Sequence, residues 1–156
     1  MGIVGHGIFQ ARREDGWADI ASDVDPCDDP VNCWLESCQP YRGLPPDLDV
    51  FDDGWHPIAD FALQVPGKRG WPAGKSPPSA YAICLDGHVQ SWLHADEMLA
   101  GAPDEIAKWE AILDEHRKYD AEAGADTLTI VRDFFDEVAR LKALHGEVRL
   151  VYALTY

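Results

Sequence analysis

Residues Ile3 to Arg12 alternate, with Val4, His6, Ile8 and Gln10 on one side and Ile3, Gly5, Gly7, Phe9 and Ala11 on the other. That is the period of a β-strand. Glu14-Asp15-Gly16 reads as a turn, and Trp17 to Ile20 as the returning arm of a hairpin, for which an Asp-Gly pair is a good local signal. Pro30 suits the first turn of a short helix running through Cys33, Trp34 and Leu35 to Cys38, which Pro40 ends. Between Gly43 and Pro78 prolines and glycines are dense, which predicts a long surface excursion with only short elements, such as one over His56 to Val65. Loops of that length in a compact domain often carry function.

Tyr81 to Leu85 reads as a buried strand, Asp86-Gly87 as a turn and Val89 to Leu93 as the strand's continuation, ahead of a short helix over Asp96 to Ala100. Pro103 then starts a second helix that ends near Tyr119, with Ile106, Trp109, Ile112, Leu113 and His116 on one face and Asp104 and Glu105 at its positive end. After a connection over Ala121 to Ala125, Asp126 or Thr127 caps a further helix. It carries Leu128, Val131, Phe134, Phe135, Val138, Leu141 and Leu144 at helical spacing, and Gly146 stops it. Glu147 to Thr155 alternates again, with Val148, Leu150, Tyr152 and Leu154 on one side. The expected fold is therefore α+β. A small mixed or antiparallel sheet is built from the N-terminal hairpin, a central strand and the C-terminal strand, and two C-terminal helices pack on it. Neither an internal repeat nor a low-complexity tract is present.

Length and composition narrow the class. At 156 residues, one domain over 1–156 is expected. The apolar share of 46%, with six tryptophans, is enough to fill a core. Thirteen basic against twenty-eight acidic residues give a formal net charge of −15, a field that repels nucleic acid polymers and anionic membranes. The carboxylates are scattered rather than laid out in rows, which favours solubility over mimicry of DNA. No apolar run is long enough to span a membrane and no signal peptide is visible, so a cytoplasmic protein is expected. Cys27, Cys33, Cys38 and Cys84 match neither redox-pair nor zinc-knuckle spacing and read as free, partly buried thiols.

Phosphate-cradling glycine loops, nucleophile elbows, zinc-helix motifs and calcium loops are absent from the sequence. The candidate chemistry lies in histidines, the side chains suited to proton transfer near neutral pH. His6 sits mid-strand between two glycines that permit close approach by a ligand or by another backbone. His88 emerges at the Asp86-Gly87 turn ahead of Ser91-Trp92. On neighbouring strands the two imidazoles can serve as acid and base on a phosphodiester, with Ser91 and a basic side chain on the phosphate and Trp92 stacking on a base. Taken singly, each histidine is better explained as structural. His94, His116 and His145 read as helix-surface or helix-end residues, and His56 stays undecided. Arg42 in Arg42-Gly43-Leu44-Pro45 can present a two-pronged fork to phosphate; the alternative pairs it with a carboxylate of this acidic chain. Lys68, Arg69 and Lys75 beside Trp71 make the one locally basic stretch, at 67–78.

The opening MGIVGHGIFQAR with its Gly-Trp turn, RGLP at 42–45, DGHVQSW at 86–92 and the closing VRLVYALTY resemble a widespread family of small uncharacterised phage proteins. Members of that family open with M-G-C-D-I-H, carry R-G-L-P, then D-x-H-S-x-S-W before a short helix, and close on a V-R-L-V-F-W-F-D-like strand. The resemblance covers nearly the whole chain through short motifs. By position the family's histidines fall on His6 and His88, its arginine on Arg42, and its serine and tryptophan on Ser91 and Trp92. Ile3 and Val4 stand where the family has Cys and Asp, and Val89 and Gln90 where it has Ser and often His. Without the acidic residue two positions before His6, a metal site loses a ligand, so no metal and no cofactor are expected.

The resemblance implies a phage protein acting in the host bacterial cytosol, where such small proteins often counter host defence by sequestering or cleaving cyclic nucleotide signals. Three functions are compatible with the residues. One is a metal-independent cyclic nucleotide phosphodiesterase with His6 and His88 as acid and base. Another is a sponge that binds the nucleotide intact, as a homo-oligomer with its pocket between subunits. The third is an acidic interaction module that inhibits a host enzyme through its charge.

Overall fold

Alternation in the first residues of the chain becomes a hairpin of β1, Val4–Arg13, and β2, Gly16–Asp19. The computed structural model describes residues 4–38, 42 and 89–155. Arg13 pairs with Gly16, so Glu14 and Asp15 alone make the turn, and Gly16 takes a φ of +132° that side-chain-bearing residues rarely adopt. Helix α1, Asp29–Ser37, starts where Asp28 accepts a hydrogen bond from the Asp29 amide at 2.8 Å, with Pro30 in the first turn as expected. It ends at Cys38, whose amide donates to the Leu35 carbonyl at 3.2 Å. Strand β3, Val89–His94, leads directly into α2, Ala95–Arg117; α3, Thr127–His145, ends at Gly146, and β4, Val148–Thr155, closes the sheet.

The four strands run in the order β2-β1-β4-β3, every neighbouring pair antiparallel. β4 thus lies between β1 and β3, with Phe9 opposite Leu150 on one side and Leu93 opposite Leu150 on the other. Phe9, Ala11, Leu93, Val148, Leu150, Tyr152 and Leu154 share one face and pack with Val31, Trp34 and Leu35 of α1, Met98 of α2, and Val131, Phe134, Val138 and Leu141 of α3. This is the α+β arrangement expected, with α1 added to the two C-terminal helices.

Two departures are informative. The sequence predicts a break between a helix ending at Ala100 and one starting at Pro103, whereas α2 runs unbroken through Pro103. Proline there removes one backbone donor. Met98, Ala102 and Glu105, all buried, form a stripe at helical spacing that crosses Pro103 without changing face. The stripe assigned to α3 holds from Val131 to Leu141, but Leu144 is 66% exposed because helical spacing turns it off that face, which the half-buried Lys142 and His145 continue instead. His116 likewise lies on the exposed side of α2. The strand expected over Tyr81 to Leu85, the element over His56 to Val65 and the basic stretch at 67–78 lie outside the described residues.

The glycines beside His6 serve the core. Gly5 and Gly7 face the helices, where a Cβ on Gly5 would collide with the buried Asn32 side chain and one on Gly7 would stand 2.9 Å from the Cys27 sulfur. The close approach they permit here is by side chains, rather than by the other backbone that was expected. Gly5→Val is expected to destabilise the domain by about 1–3 kcal/mol through overpacking, read from urea unfolding midpoints. An unchanged midpoint would show that α1 can move away from β1 without cost.

Candidate functional site

Consecutive strand residues point to opposite faces, so Ser91 and Trp92 part company on β3. Ser91 joins the helix-facing layer and is 1% exposed; its Oγ accepts a hydrogen bond from the Arg42 amide at 3.0 Å. Trp92 turns to the second face. Arg42 bridges the two at the edge of the described sheet. Its guanidinium lies 4.9 Å from the centre of the Trp92 ring, and its Nη1 donates to the Trp92 carbonyl at 3.4 Å.

The fork of Arg42 is occupied. Nη1 and Nη2 donate to Glu97 Oε1 and Oε2 at 2.9 and 2.5 Å, and both side chains are about one-third exposed, 38% and 35%. The alternative weighed for Arg42, a carboxylate partner, is therefore what this structure holds. Glu97 is the third residue of α2, near enough to the backbone N–H of His94, the residue that caps the helix without a side-chain bond of its own, for that amide to favour the charged carboxylate. It is the position from which one half of a capping box is made. The hydrogen bonds from Arg42 hold the Glu97 carboxyl below its ordinary range, against an opposing contribution from burial. The same pairing raises Arg42.

Beyond Trp92 the second face continues as a row of rings and cations. The His94 imidazole meets Trp92 edge-on with centroids 5.0 Å apart, and the Trp17 indole of β2 lies 6.0 Å from the same imidazole. Trp17 in turn lies over Arg149 of β4, the guanidinium 4.0 Å from the ring centre, and 5.7 Å from that of Arg12. Arg149 is 1% exposed; its Nε donates to Gln10 Oε1 at 2.9 Å, and Gln10 Nε2 donates to Asp19 Oδ1 at 2.9 Å. The buried cation is thus offset by an indole face and, through an amide relay, by a carboxylate at the sheet edge. Trp92 Nε1 is buried and has no hydrogen-bond partner among the described residues.

Of the five residues singled out from the sequence, Arg42, Ser91 and Trp92 converge, with Ser91 holding the backbone of Arg42 from the core side. His6 is exposed on the same face as Trp92, opposite Ala153. β4 separates β1, which carries His6, from β3, a gap of roughly 10 Å between strand axes. His88 itself lies outside the described residues, as does His56. Trp17, His94, Arg149 and Glu97 were not singled out. His94 was read as a helix end, which it is, but its ring belongs to the row. The available signal for Arg149 was its place in Val148-Arg149-Leu150-Val151, a lone cation inside a strand too apolar to be half-exposed.

Among the described residues no group of three or more His, Cys, Asp or Glu side chains is placed to hold a metal ion, and no helix is long and apolar enough to cross a membrane. Cys27, Cys33 and Cys38 are free thiols. Burial pushes the Cys38 thiol above its ordinary value, and its Sγ lies 3.3 Å from the Trp34 carbonyl oxygen. Cys84 lies outside the described residues.

The Arg42–Glu97 pair has a pH signature. Because the folded carboxyl sits below its ordinary 4.5, the pair contributes stability above about pH 4.5 and loses it as pH falls through the folded value. The pair is partly exposed, so its contribution is about 0.2–1 kcal/mol. Glu97→Gln is expected to flatten the acid limb of stability by that amount, compared with wild type in urea unfolding at neutral and acidic pH. Identical limbs would mean the pair contributes nothing.

Comparison with protein-family models, with curated proteins and with solved structures gives no match, so the functional reading of this site rests on its own geometry.

Proposed function

We propose that the protein binds a small cyclic nucleotide on the second face of its sheet and, in keeping with the resemblance to phage proteins, withholds that signal from host defence. The observation that carries this reading is the Arg42 fork set against the Trp92 ring, in line with His94 and Trp17. Aromatic faces stack on any base, and an arginine fork matches the paired oxygens of a phosphate. Such a ligand meets a domain of net charge −15, so local cations have to overcome a repulsive field. Arg42 and Arg12 are exposed beside the two indoles, where they can do so. Ser91 acts on the ligand only through Arg42, by fixing its backbone.

Hydrolysis is the second reading, favoured by the exposed imidazole of His6 on the same face. Acid–base cleavage of a phosphodiester needs a second proton-transfer group within reach of the same phosphate.

Calorimetric titration of the purified protein with a panel of cyclic di- and trinucleotides, followed by release at high temperature and chromatography, separates the readings. Saturable binding with intact recovery is expected. Trp92→Ala should weaken it by about 1–3 kcal/mol, some tenfold to hundredfold. Recovery of linear products, abolished in His6→Ala, would establish hydrolysis instead. Failure of every nucleotide to bind would overturn both, and an acidic module that captures a host enzyme in a salt-sensitive manner would take their place.

A further inference from the structure

Glu97 and Arg42 are partly exposed, paired through both prongs of the fork, and placed beside the ring that would stack on a base. A carboxylate and a phosphodiester each offer an arginine fork two adjacent anionic oxygens. Glu97 therefore fills the position in which the reading above would place a ligand phosphate. We propose that Glu97 is an internal stand-in for that phosphate and that binding proceeds by exchange of partners on Arg42. This rests on the nucleotide-binding reading and deepens it by naming the residue that sets the affinity of the site.

Three features make the exchange physically reasonable. First, the carboxylate stays favoured after release, because it lies in the first turn of a 23-residue helix whose positive end favours a negative charge there. Second, it has room: Glu97 itself lines a cavity of about 280 Å³ together with His94, Asp96, Lys142 and Glu147. Third, Arg42 is fixed at its backbone by Ser91 and at Nη1 by the Trp92 carbonyl, so the guanidinium can change anions without leaving the indole. Exchange of one anion for another on the same fork leaves the arginine paired throughout, which avoids the cost of an unpaired guanidinium against an aromatic face.

The opposite role for Glu97 is equally definite. If the carboxylate serves to hold Arg42 in place for the ligand, removing its charge weakens binding. The test is calorimetry of wild type, Glu97→Gln and Asp96→Asn at one ionic strength with the same panel of cyclic di- and trinucleotides. Glutamine is chosen because it keeps the size and shape of the side chain while removing its charge. Asp96→Asn removes one negative charge a residue away, from a carboxylate paired with Lys142 rather than Arg42. Glu97→Gln is expected to bind about two- to fivefold tighter than wild type, the range of a partly exposed ion pair no longer competing with the ligand. Asp96→Asn should change affinity by clearly less. A Glu97→Gln variant that binds no tighter than wild type, or a gain equalled by Asp96→Asn, would overturn the exchange while leaving nucleotide binding intact. No binding by wild type or either variant would overturn the nucleotide reading itself, and the exchange with it.

Discussion

Everything described here depends on β4 being shared. It is flanked by β1 and β3, and its two faces serve different ends. Leu150, Tyr152 and Leu154 are fully buried against the helices, whereas Arg149, Val151 and Ala153, equally inaccessible, look the other way. A strand covered on both faces must satisfy two surroundings with one alternating sequence. The helix side is met with large apolar side chains. The other is met with small ones and a single arginine, whose charge is balanced by Trp17, Gln10 and Asp19.

That arginine ties the framework to the candidate site. With its head under an indole and its Nε on an amide, Arg149 locks β2, β1 and β4 in one register. The register then decides that His94, opposite Arg149 on β3, brings its ring between Trp17 and Trp92. A slip by one residue at any pair of strands would send the slipped strand's share of this row into the core and its apolar residues outward. The precision of the site is thus inherited from the sheet; Arg42, held by one hydroxyl, one carbonyl and one carboxylate, and its partner Glu97 on α2 come from beyond it.

Local structure was largely legible in the sequence, because it follows from periodicity. The two faces of β1, the helix-facing side of β4, the stripe of α3 and its glycine stop all follow from spacing alone. Pairings between distant segments were not. No local pattern announces that β4 inserts between β1 and β3, and without that order His6 on β1 and Ser91 and Trp92 on β3 look closer than their strands allow. Glu97 is another such case: in the sequence it is one acid among twenty-eight, and only the fold selects it as the partner of Arg42. Pro103 shows the converse, a strong local signal overruled by a buried stripe that runs straight through it.

The pairing of Val4 with Thr155 has a kinetic side. The hairpin of β1 and β2 can close within a few residues of the turn, but the inner edge of β1 must wait for a segment nearly a full chain length away. Contacts of such high sequence separation slow folding, since loop entropy is lost before the pairing repays it. While a ribosome is still delivering α2 and α3, the sheet lacks its middle, and β1 presents an unmatched row of amides and carbonyls to whatever it meets. The nascent chain is therefore most vulnerable to association with its neighbours in the interval before its last strand emerges.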